Sequence, residues 1–194
     1  MMNTKKSTHQ NIMDTAQKLI QRKGFNAFSY ADIAKELDIK TSSIHYYFPS
    51  KTDLGLELMK RYRKTIQEVL EQVDQSELGS REKLQEYLQA YQSIFSEDGR
   101  ICLCVMLSSD IITLEDSIQQ EVKLFLQLNL DWLAKTLEEG VKCNAFNCHA
   151  DTHAEASLFL STLIGSMLLA RANPKSLSFH QIGQVLYDKY TLHD

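Results

Sequence analysis

A run of short hydrogen-bonding side chains occupies residues 41–47, whose sequence is TSSIHYY. It contains hydroxyl and imidazole groups, no Lys, Arg, Asp or Glu, and one clearly apolar residue, Ile44. A helix of this composition would contribute little to a hydrophobic core. Short polar side chains suit a partner with closely spaced donors and acceptors, and base edges offer that pattern in the major groove of DNA. The run therefore predicts a helix that is presented to nucleic acid.

Cys102 offers a second kind of chemistry. It follows Arg100 and precedes an apolar segment that we predict to be a short helix. A helix N-terminus and a neighbouring guanidinium both favour the thiolate, which is the reactive form. We therefore consider Cys102 a candidate sensor of oxidants or electrophiles, with a small buried hydrophobe as the alternative. Cys104 could supply a partner thiol, although a spacing of two residues on a helix points it elsewhere.

Four further side chains, Cys143, Cys148, His149 and His153, invite a metal interpretation. Their spacing, C-x4-C-H-x3-H, differs from that of the usual zinc sites, and we expect no metal and no cofactor. The chain also lacks a phosphate-binding loop, a supported Ser-His-Asp pattern and paired carboxylates in a recognisable cleft. We therefore expect that the protein is not an enzyme.

Charge is distributed unevenly along the 194 residues. Residues 1–64 hold 12 Lys and Arg against 6 Asp and Glu, whereas residues 65–194 hold 9 against 19. The basic first third can approach a polyanion although the whole chain has a net charge of −4, because local charge dominates within a Debye length of about 8–10 Å.

The N-terminus lacks an apolar signal segment and no uninterrupted apolar run of 18 residues occurs, so we expect a cytoplasmic protein with reduced cysteines.

The elements that position these residues are predicted to be helical throughout. Only 2 Pro and 7 Gly occur, and apolar residues recur with helical spacing. Serines are expected to cap several helices, among them Ser29, Ser50, Ser80 and Ser178. Turns are expected at Asp38, at Asp98-Gly99 and at Asn173-Pro174. The predicted helices cover about residues 7–23, 30–37, 41–47, 51–73, 81–95, 103–112, 114–142, 151–172 and 179–190.

Four short motifs occur in the first third of the chain: Gly24-Phe25, Ile33-Ala34, His45–Phe48 and Pro49–Lys51. Together they resemble the TetR family of bacterial transcriptional regulators, and the resemblance covers roughly residues 8–60. Two positions depart from the family pattern. Asp38 stands where the turn often has Gly, so a left-handed backbone is expected there. Ser42 stands where Gly is frequent, which changes the base contacts that are possible.

The resemblance implies an all-α protein with a helix-turn-helix head, residues 1–50, and a body for effector binding and dimerisation, residues 51–194. The helix 51–73 would connect the two parts. In such proteins the third helix lies in the major groove. Base contacts are expected from Thr41, Ser42, Ser43, His45 and Tyr46, and the alternative for the Ser and Thr residues is a merely solvated helix face. Phosphate contacts are implied for Ser29, Tyr30, Tyr47 and Lys51. For Tyr47 core packing is an equal alternative, and for Phe48 it is the expectation.

A homodimer is expected because one head contacts only a few base pairs, and specific binding uses two heads one DNA turn apart. The helix 151–172 offers a stripe of small residues beside apolar ones, and the last helix adds apolar area. Packing inside the protein, as in a core helix, is the alternative for any single residue. The predicted dimer interface consists of Ala154, Ser157, Leu158, Ser161, Gly165, Leu168, Leu169, Ile182, Val185 and Leu186.

Aromatic side chains at helical spacing could line an effector cavity in the acidic body. The candidate residues are Tyr87, Tyr91, Phe95, Cys102, Met106, Phe125, Leu128 and Trp132. Plain core packing is the alternative. A segment with Leu107-Ser108-Ser109-Asp110 after Cys102 is also similar to a TetR subgroup that includes electrophile-responsive repressors of reductases.

The sequence thus predicts a homodimeric repressor that binds a near-palindromic operator and is released by a small effector or by modification of Cys102. The alternative is a ligand-independent DNA-binding or interaction protein without an effector switch.

Overall fold

The computed structural model describes residues 7–95, 100–148, 151–173 and 178–191. Within these ranges the only extended pairing is an isolated antiparallel bridge between Phe146 and Thr191. The all-α prediction is confirmed. The helices are α1 Thr8–Lys23, α2 Tyr30–Leu37, α3 Thr41–Tyr47, α4 Lys51–Gln75, α5 Ser80–Ile94, α6 Leu103–Ser109, α7 Asp116–Lys142, α8 Thr152–Ala172 and α9 Phe179–Tyr190, with a 3-10 turn at Ile111–Thr113.

Local signals define the ends of the first helices, as the sequence predicts. Ser7 caps α1. Gly24 ends the helix at φ 91°, a backbone conformation in which a residue with a side chain would be strained. Ser29 and Asp32 form a reciprocal capping box at the start of α2. Asp38 ends α2 in the left-handed region, at φ 52° and ψ 48°. The tight turn before α3 therefore has an aspartate where the family often has glycine.

Three predicted boundaries in the middle of the chain are wrong. Ser80 does not cap α5: it is the first helical residue, and Gly79 occupies the cap position without a side-chain cap bond. The short helix α6 ends at Ser109 instead of residue 112. The backbone N–H and the hydroxyl of Thr113 both donate to the carbonyl of Asp110, which holds the chain in the 3-10 turn. Helix α7 consequently begins at Asp116.

The chain divides into two compact units. The head unit comprises Met1–Arg63 and Leu103–Val122, and the body unit comprises Lys64–Cys102 and Lys123–Asp194. Residues 51–63 and 103–122 thus group with the head, whereas the sequence interpretation assigns them to the body. The division at residue 50 stays a prediction. The turn predicted at Asp98-Gly99 and the stop at Pro174 lie outside the described residues.

The core of the head unit is formed by apolar side chains that are almost fully buried. They come from α1 to α4, from the start of α7 and from two positions outside the helices, Phe28 before α2 and Phe48 directly after α3. They include Ile12, Ala16, Ile20, Phe28, Ile33, Ile44, Phe48, Leu54, Leu58 and Ile118. Helix α1 packs on α2 and on α6, and α2 packs on α3. Burial of one such side chain stabilises the fold by about 1.5–3 kcal/mol. Two of these residues, Ile44 and Phe48, hold α3 on the head.

The body unit contains a buried aromatic core to which α5, α7, α8 and α9 contribute. Tyr87, Phe125, Phe159 and Tyr190 are each no more than 2% exposed. Tyr190 donates a hydrogen bond of 2.7 Å to the carboxylate of Glu155, which joins α9 to α8. Helix α8 is long and apolar enough to cross a membrane by length and composition alone, which is weak evidence for a span, and 44% of the apolar window is buried inside the protein.

Candidate nucleic-acid interface

Helix α3 is held by two buried side chains and exposes most of the others. Ile44 and Phe48 are 0% and 1% exposed, so the core prediction for Phe48 is confirmed. Tyr46 is 82% exposed and Tyr47 is 39% exposed. Thr41, Ser42 and His45 are also exposed, and Ser43 is half-buried. The helix therefore presents hydroxyl and imidazole groups to solvent, as expected of a helix that contacts a polar partner.

An open depression of about 480 Å³ lies along this helix. Its lining combines residues of α3 with two residues that the sequence interpretation did not include, Thr8 at the start of α1 and Ile39 in the turn. The remaining lining residues are Ser42, Ser43, Tyr46 and Tyr47. The sequence contains a signal that could have identified Thr8 as part of a DNA-contacting surface. Thr8 directly follows the cap residue Ser7, and the backbone N–H groups at the N-terminus of a helix attract anions.

Tyr30 fastens α2 to the end of α3. Its hydroxyl lies 2.9 Å from the carbonyl oxygen of Phe48 and 2.6 Å from that of Ser50, and its proton is shared between these acceptors. Burial, and to a lesser extent the charge of Asp53, raises the pKa of Tyr30 to about 12. The phosphate contact predicted for Tyr30 stays a prediction, and the hydroxyl already has partners inside the head unit.

Ser29, the other predicted phosphate contact at this end of α2, is exposed and takes part in the capping box. Its hydroxyl donates to the Asp32 carboxylate at 2.7 Å, and its backbone N–H donates to the same oxygen. These hydrogen bonds from the side chain and backbone of Ser29 lower the pKa of Asp32. Asp32 therefore stays ionised at neutral pH and fixes the start of α2.

Lys51 is turned towards the interior of the head unit. Its Nζ donates to the carbonyl oxygen of Phe28 at 2.6 Å and lies over the rings of Phe28 and Phe25, at 4.3 and 4.9 Å from their centroids. Burial lowers the pKa of Lys51, and the nearby carboxylate of Asp110 opposes this shift. The ammonium group has three N–H donors, so the bond to the Phe28 carbonyl leaves donors for another acceptor, and the phosphate contact that the resemblance implies stays a prediction.

Asp110, which the sequence analysis names only as part of a short segment after Cys102, positions the loop that follows α1. Its Oδ2 accepts hydrogen bonds from the backbone N–H groups of Phe25, at 2.9 Å, and Asn26, at 3.4 Å. The Asn26 side chain in turn donates to the hydroxyl of Thr113 at 2.8 Å. The segment after α6 is thereby joined to the loop after α1. These contacts span more than 80 residues of sequence, so no local pattern reveals them.

His9 supports the same surface from α1. Its ring stacks on Phe48 at 4.9 Å and meets Tyr47 edge-on at 5.8 Å, and its Nε2 lies 3.0 Å from a carboxylate oxygen of Glu57. Tyr47 is thus packed against a neighbouring ring on one side while it remains partly exposed. The core alternative thus applies to part of the Tyr47 side chain, and the phosphate contact stays a prediction.

Comparison with known proteins identifies the family. Residues 12–58 match the family model described as bacterial regulatory proteins, tetR family. A TetR transcriptional regulator from Legionella pneumophila is 31% identical, covers 97% of this chain and 100% of its own, and superposes with a TM-score of 0.87. The chain belongs to the TetR family of transcriptional regulators. A TetR-family regulator from Agrobacterium tumefaciens is 30% identical over 95% of this chain and 97% of its own, with a TM-score of 0.89.

A curated relative adds a subgroup resemblance. The HTH-type transcriptional repressor NemR of Escherichia coli is 22% identical over 171 residues, which are 87% of this chain and 86% of NemR. The matched family model covers α2 and α3, which form the helix-turn-helix of TetR regulators. The head unit therefore carries the DNA-binding segment of a transcriptional regulator.

In the body unit of this TetR regulator, some of the predicted pocket residues form one cluster. Tyr87 and Tyr91 both donate to Oδ1 of the fully buried Asn129, at 2.9 and 3.0 Å, and Asn129 donates to the carbonyl oxygen of Phe125 at 2.8 Å. Trp132 stacks on Tyr87 with ring centroids 5.2 Å apart. The structure therefore brings these four predicted residues together around Asn129, which the sequence interpretation did not include.

The other predicted pocket residues lie elsewhere. Phe95 pairs with Phe179 at 5.4 Å, Leu128 is half-buried, and Met106 belongs to the head unit, where its methyl group approaches Gly24. Cys102 is 1% exposed and belongs to the body unit. Burial raises the pKa of Tyr87, an effect that Tyr91 opposes and that the charge of a Cys102 thiolate would increase. An effector pocket formed by these residues stays a prediction.

The four cysteines differ in accessibility. Cys102 and Cys104 are buried, Cys143 is exposed and Cys148 is half-buried. Cys102 directly precedes α6, as predicted. Burial and the charge of Glu155 raise the pKa of Cys148. His149 lies outside the described residues, and no group of three or more His, Cys, Asp and Glu side chains that could hold a metal occurs among the residues described.

The predicted dimer residues mostly form an exposed face on α8 and α9. Leu158, Leu168, Leu169 and Val185 are 46%, 41%, 64% and 68% exposed, and a Cβ atom added to Gly165 would meet nothing within 4 Å. Ala154, Ser157 and Ser161 are exposed, and Ile182 is half-buried. Leu186 is different: it is 5% exposed and packs inside the body unit, because it lies on a different side of α9 from Val185.

Proposed function

We propose that this TetR-family protein is a cytoplasmic, homodimeric transcriptional repressor that binds a near-palindromic operator through α3. The observation that carries the proposal is the exposed polar surface of α3 on a rigid support: Ile44 and Phe48 anchor the helix while Thr41, Ser42 and His45 face solvent. The basic charge of residues 1–64 supports the approach to DNA. NemR, a relative of this chain, is itself a transcriptional repressor.

The face of α8 and α9 supports assembly into a dimer. Exposed leucine and valine side chains on adjacent helices, next to a glycine with open space beside it, suit a close helix contact with a second copy. A two-fold dimer presents the same face twice and places two heads on one DNA molecule. Two heads about 34–36 Å apart would read half-sites one helical turn apart, which predicts operator symmetry.

The proposal also includes control of DNA binding by an effector. Cys102 is the residue directly before α6, so a covalent change at its side chain would occur next to the first residue of that helix. Helix α6 contacts α1, and Asp110 just after it holds the backbone at Phe25. A small effector among the body aromatics, or a covalent change at Cys102, would release the operator by favouring another arrangement of α6.

The test uses the full-length protein and fluorescence anisotropy with duplexes selected from a randomised library. We expect selection of a near-palindrome, a dimer by analytical ultracentrifugation, and an affinity that falls steeply with salt concentration. The double variant Thr41→Ala, Ser42→Ala should lose sequence preference while it remains dimeric. A strictly monomeric protein without salt-sensitive binding to any duplex would contradict the proposal.

The direct packing of Tyr87 on Trp132 favours a second candidate, a DNA-binding regulator without an effector switch. Rings in contact leave less space for a ligand between them. This candidate predicts that neither operator affinity nor melting temperature changes across a panel of metabolites and electrophiles. A single compound that releases the operator would exclude it.

A further inference from the structure

The ring of His45 is fixed from two sides, although the residue is exposed. Its Nδ1 lies 3.3 Å from the carbonyl oxygen of Pro49, and its ring meets the ring of Tyr30 edge-on at 4.8 Å. Tyr30 cannot easily rotate, because its hydroxyl proton is held by the carbonyl oxygens of Phe48 and Ser50. The side chain of His45 is therefore oriented before any DNA is bound.

The contact with Pro49 determines which ring nitrogen carries the hydrogen. A backbone carbonyl oxygen only accepts hydrogen bonds, so Nδ1 is the donor in this pair. A neutral imidazole has one N–H group, and Nε2 consequently carries a lone pair. No described residue forms a hydrogen bond with Nε2. Helix α3 thus offers one fixed acceptor on an aromatic ring.

We propose that His45 is a specificity-determining residue whose Nε2 accepts a hydrogen bond from the amino group of an adenine or a cytosine in the operator. This inference rests on the proposed function, in which α3 enters the major groove. There the adenine N6 and cytosine N4 groups are donors, whereas guanine N7 and O6 and thymine O4 are acceptors. An acceptor on the protein pairs with the first two and repels the others. Each half-site would contain one such position on one strand.

The first experiment selects duplexes from a randomised library at pH 8. The wild type should enrich adenine or cytosine roughly fivefold over guanine or thymine at one position of each half-site. His45→Ala should remove that preference and leave the other positions unchanged. His45→Lys, which replaces an acceptor with a donor, should invert the preference towards guanine.

Tyr46→Ala provides the matched comparison, because Tyr46 is the exposed neighbour on the same helix and its ring contacts that of Tyr47. Tyr46 is itself an expected base contact, so Tyr46→Ala should lower the affinity or change the preference at another position, whereas the base preference at the His45-dependent position should remain. Enrichment of guanine or thymine by the wild type at that position, or an unchanged profile in His45→Ala, would overturn the proposal.

A second measurement does not depend on DNA. Long-range proton–nitrogen NMR correlations of the free protein, labelled at histidine, report which ring nitrogen is protonated, and His45→Ala identifies the signal. We expect protonation at Nδ1. Protonation at Nε2 would overturn the proposal even if the protein binds an operator. Conversely, an Nδ1–H signal from a protein that selects no duplex would show that the proposed function has failed and that the ring geometry stands.

Discussion

The carboxylate of Asp110 accepts a hydrogen bond of 2.9 Å from the backbone N–H of Phe25, a residue 85 positions earlier in the chain. This bond closes the loop that follows α1, where Gly24 takes up φ 91° and the carboxylate and Met106 approach it closely. The contact places the end of α6 and the start of the helix-turn-helix in one compact unit. The Asp110 side chain is therefore one of the links between the position of α6 and the geometry of the DNA-binding segment, beside the Asn26–Thr113 bond and the packing of α1 on α6.

Replacement of Asp110 by alanine should destabilise the head unit. The partly buried N–H of Phe25 would lose its acceptor, and such a loss costs about 1–3 kcal/mol of the free energy of unfolding. Asp110→Asn retains an oxygen acceptor without the charge and should lose less. Urea unfolding at neutral pH measures both variants. Equal stability of the alanine variant and the wild type would show that the bond contributes nothing.

Tyr30 gives a prediction for the dependence of stability on pH. Its pKa is raised from 10.0 to about 12 in the folded protein, so the neutral hydroxyl contributes stability below pH 10. As the pH rises towards 12, the unfolded chain ionises first, and this contribution is lost. Tyr30→Phe should therefore be less stable than the wild type at pH 8, and the difference should narrow between pH 10 and 12. Urea unfolding at several pH values tests this, and a constant difference would contradict it.

Much of the head could be predicted from the sequence because its signals are local. The cap at Ser29, the left-handed turn at Asp38 and the bounds of α3 each follow from a few adjacent residues. The interior position of Lys51 could not be predicted in this way. It depends on the Phe28 carbonyl, 23 residues earlier, and on two rings that only the fold brings near the ammonium group.

The body shows the same limit. Helical spacing correctly grouped Tyr87 with Tyr91, but it gave no reason to select Asn129, which is polar and is fully buried between them. Similarly, the apolar periodicity of α9 predicts that Leu186 and Val185 both lie on the dimer face. Packing within the body unit buries Leu186, however, and leaves Val185 exposed. Which apolar face turns inward is decided by neighbouring helices, and a single sequence does not state their positions.

Asn129 should be important for the stability of the body unit. Asn129→Ala would leave the hydroxyls of Tyr87 and Tyr91 without their common acceptor in a buried site, and a loss of about 2–4 kcal/mol is expected. Tyr91→Phe removes only one of the two donors and should cost about 1 kcal/mol. Thermal unfolding monitored by circular dichroism compares them. The two variants should differ clearly, and similar melting temperatures would contradict a shared acceptor.

Leu169 tests the dimer face. It is 64% exposed, so Leu169→Glu should leave the fold intact and convert the dimer to a monomer by placing a charge in the interface. Ile112→Glu provides the control, because Ile112 is 94% exposed but lies in the 3-10 turn of the head unit. Analytical ultracentrifugation should show a monomer only for Leu169→Glu, and anisotropy should show an operator affinity that is weaker by at least about tenfold. A dimer that survives this change would place the interface elsewhere.

The cysteines should react with N-ethylmaleimide in the order of their exposure. Cys143 is exposed and should be labelled first, Cys148 should follow slowly because burial and Glu155 raise its pKa, and Cys102 should be protected in the resting protein.

If Cys102 controls release of the operator, operator dissociation should follow the formation of the Cys102 adduct and not that of the Cys143 adduct. Mass spectrometry of the peptides and anisotropy on the same samples measure both quantities. Cys143→Ser should then respond like the wild type and Cys102→Ser should not respond, whereas normal release of Cys102→Ser would assign the response to another residue.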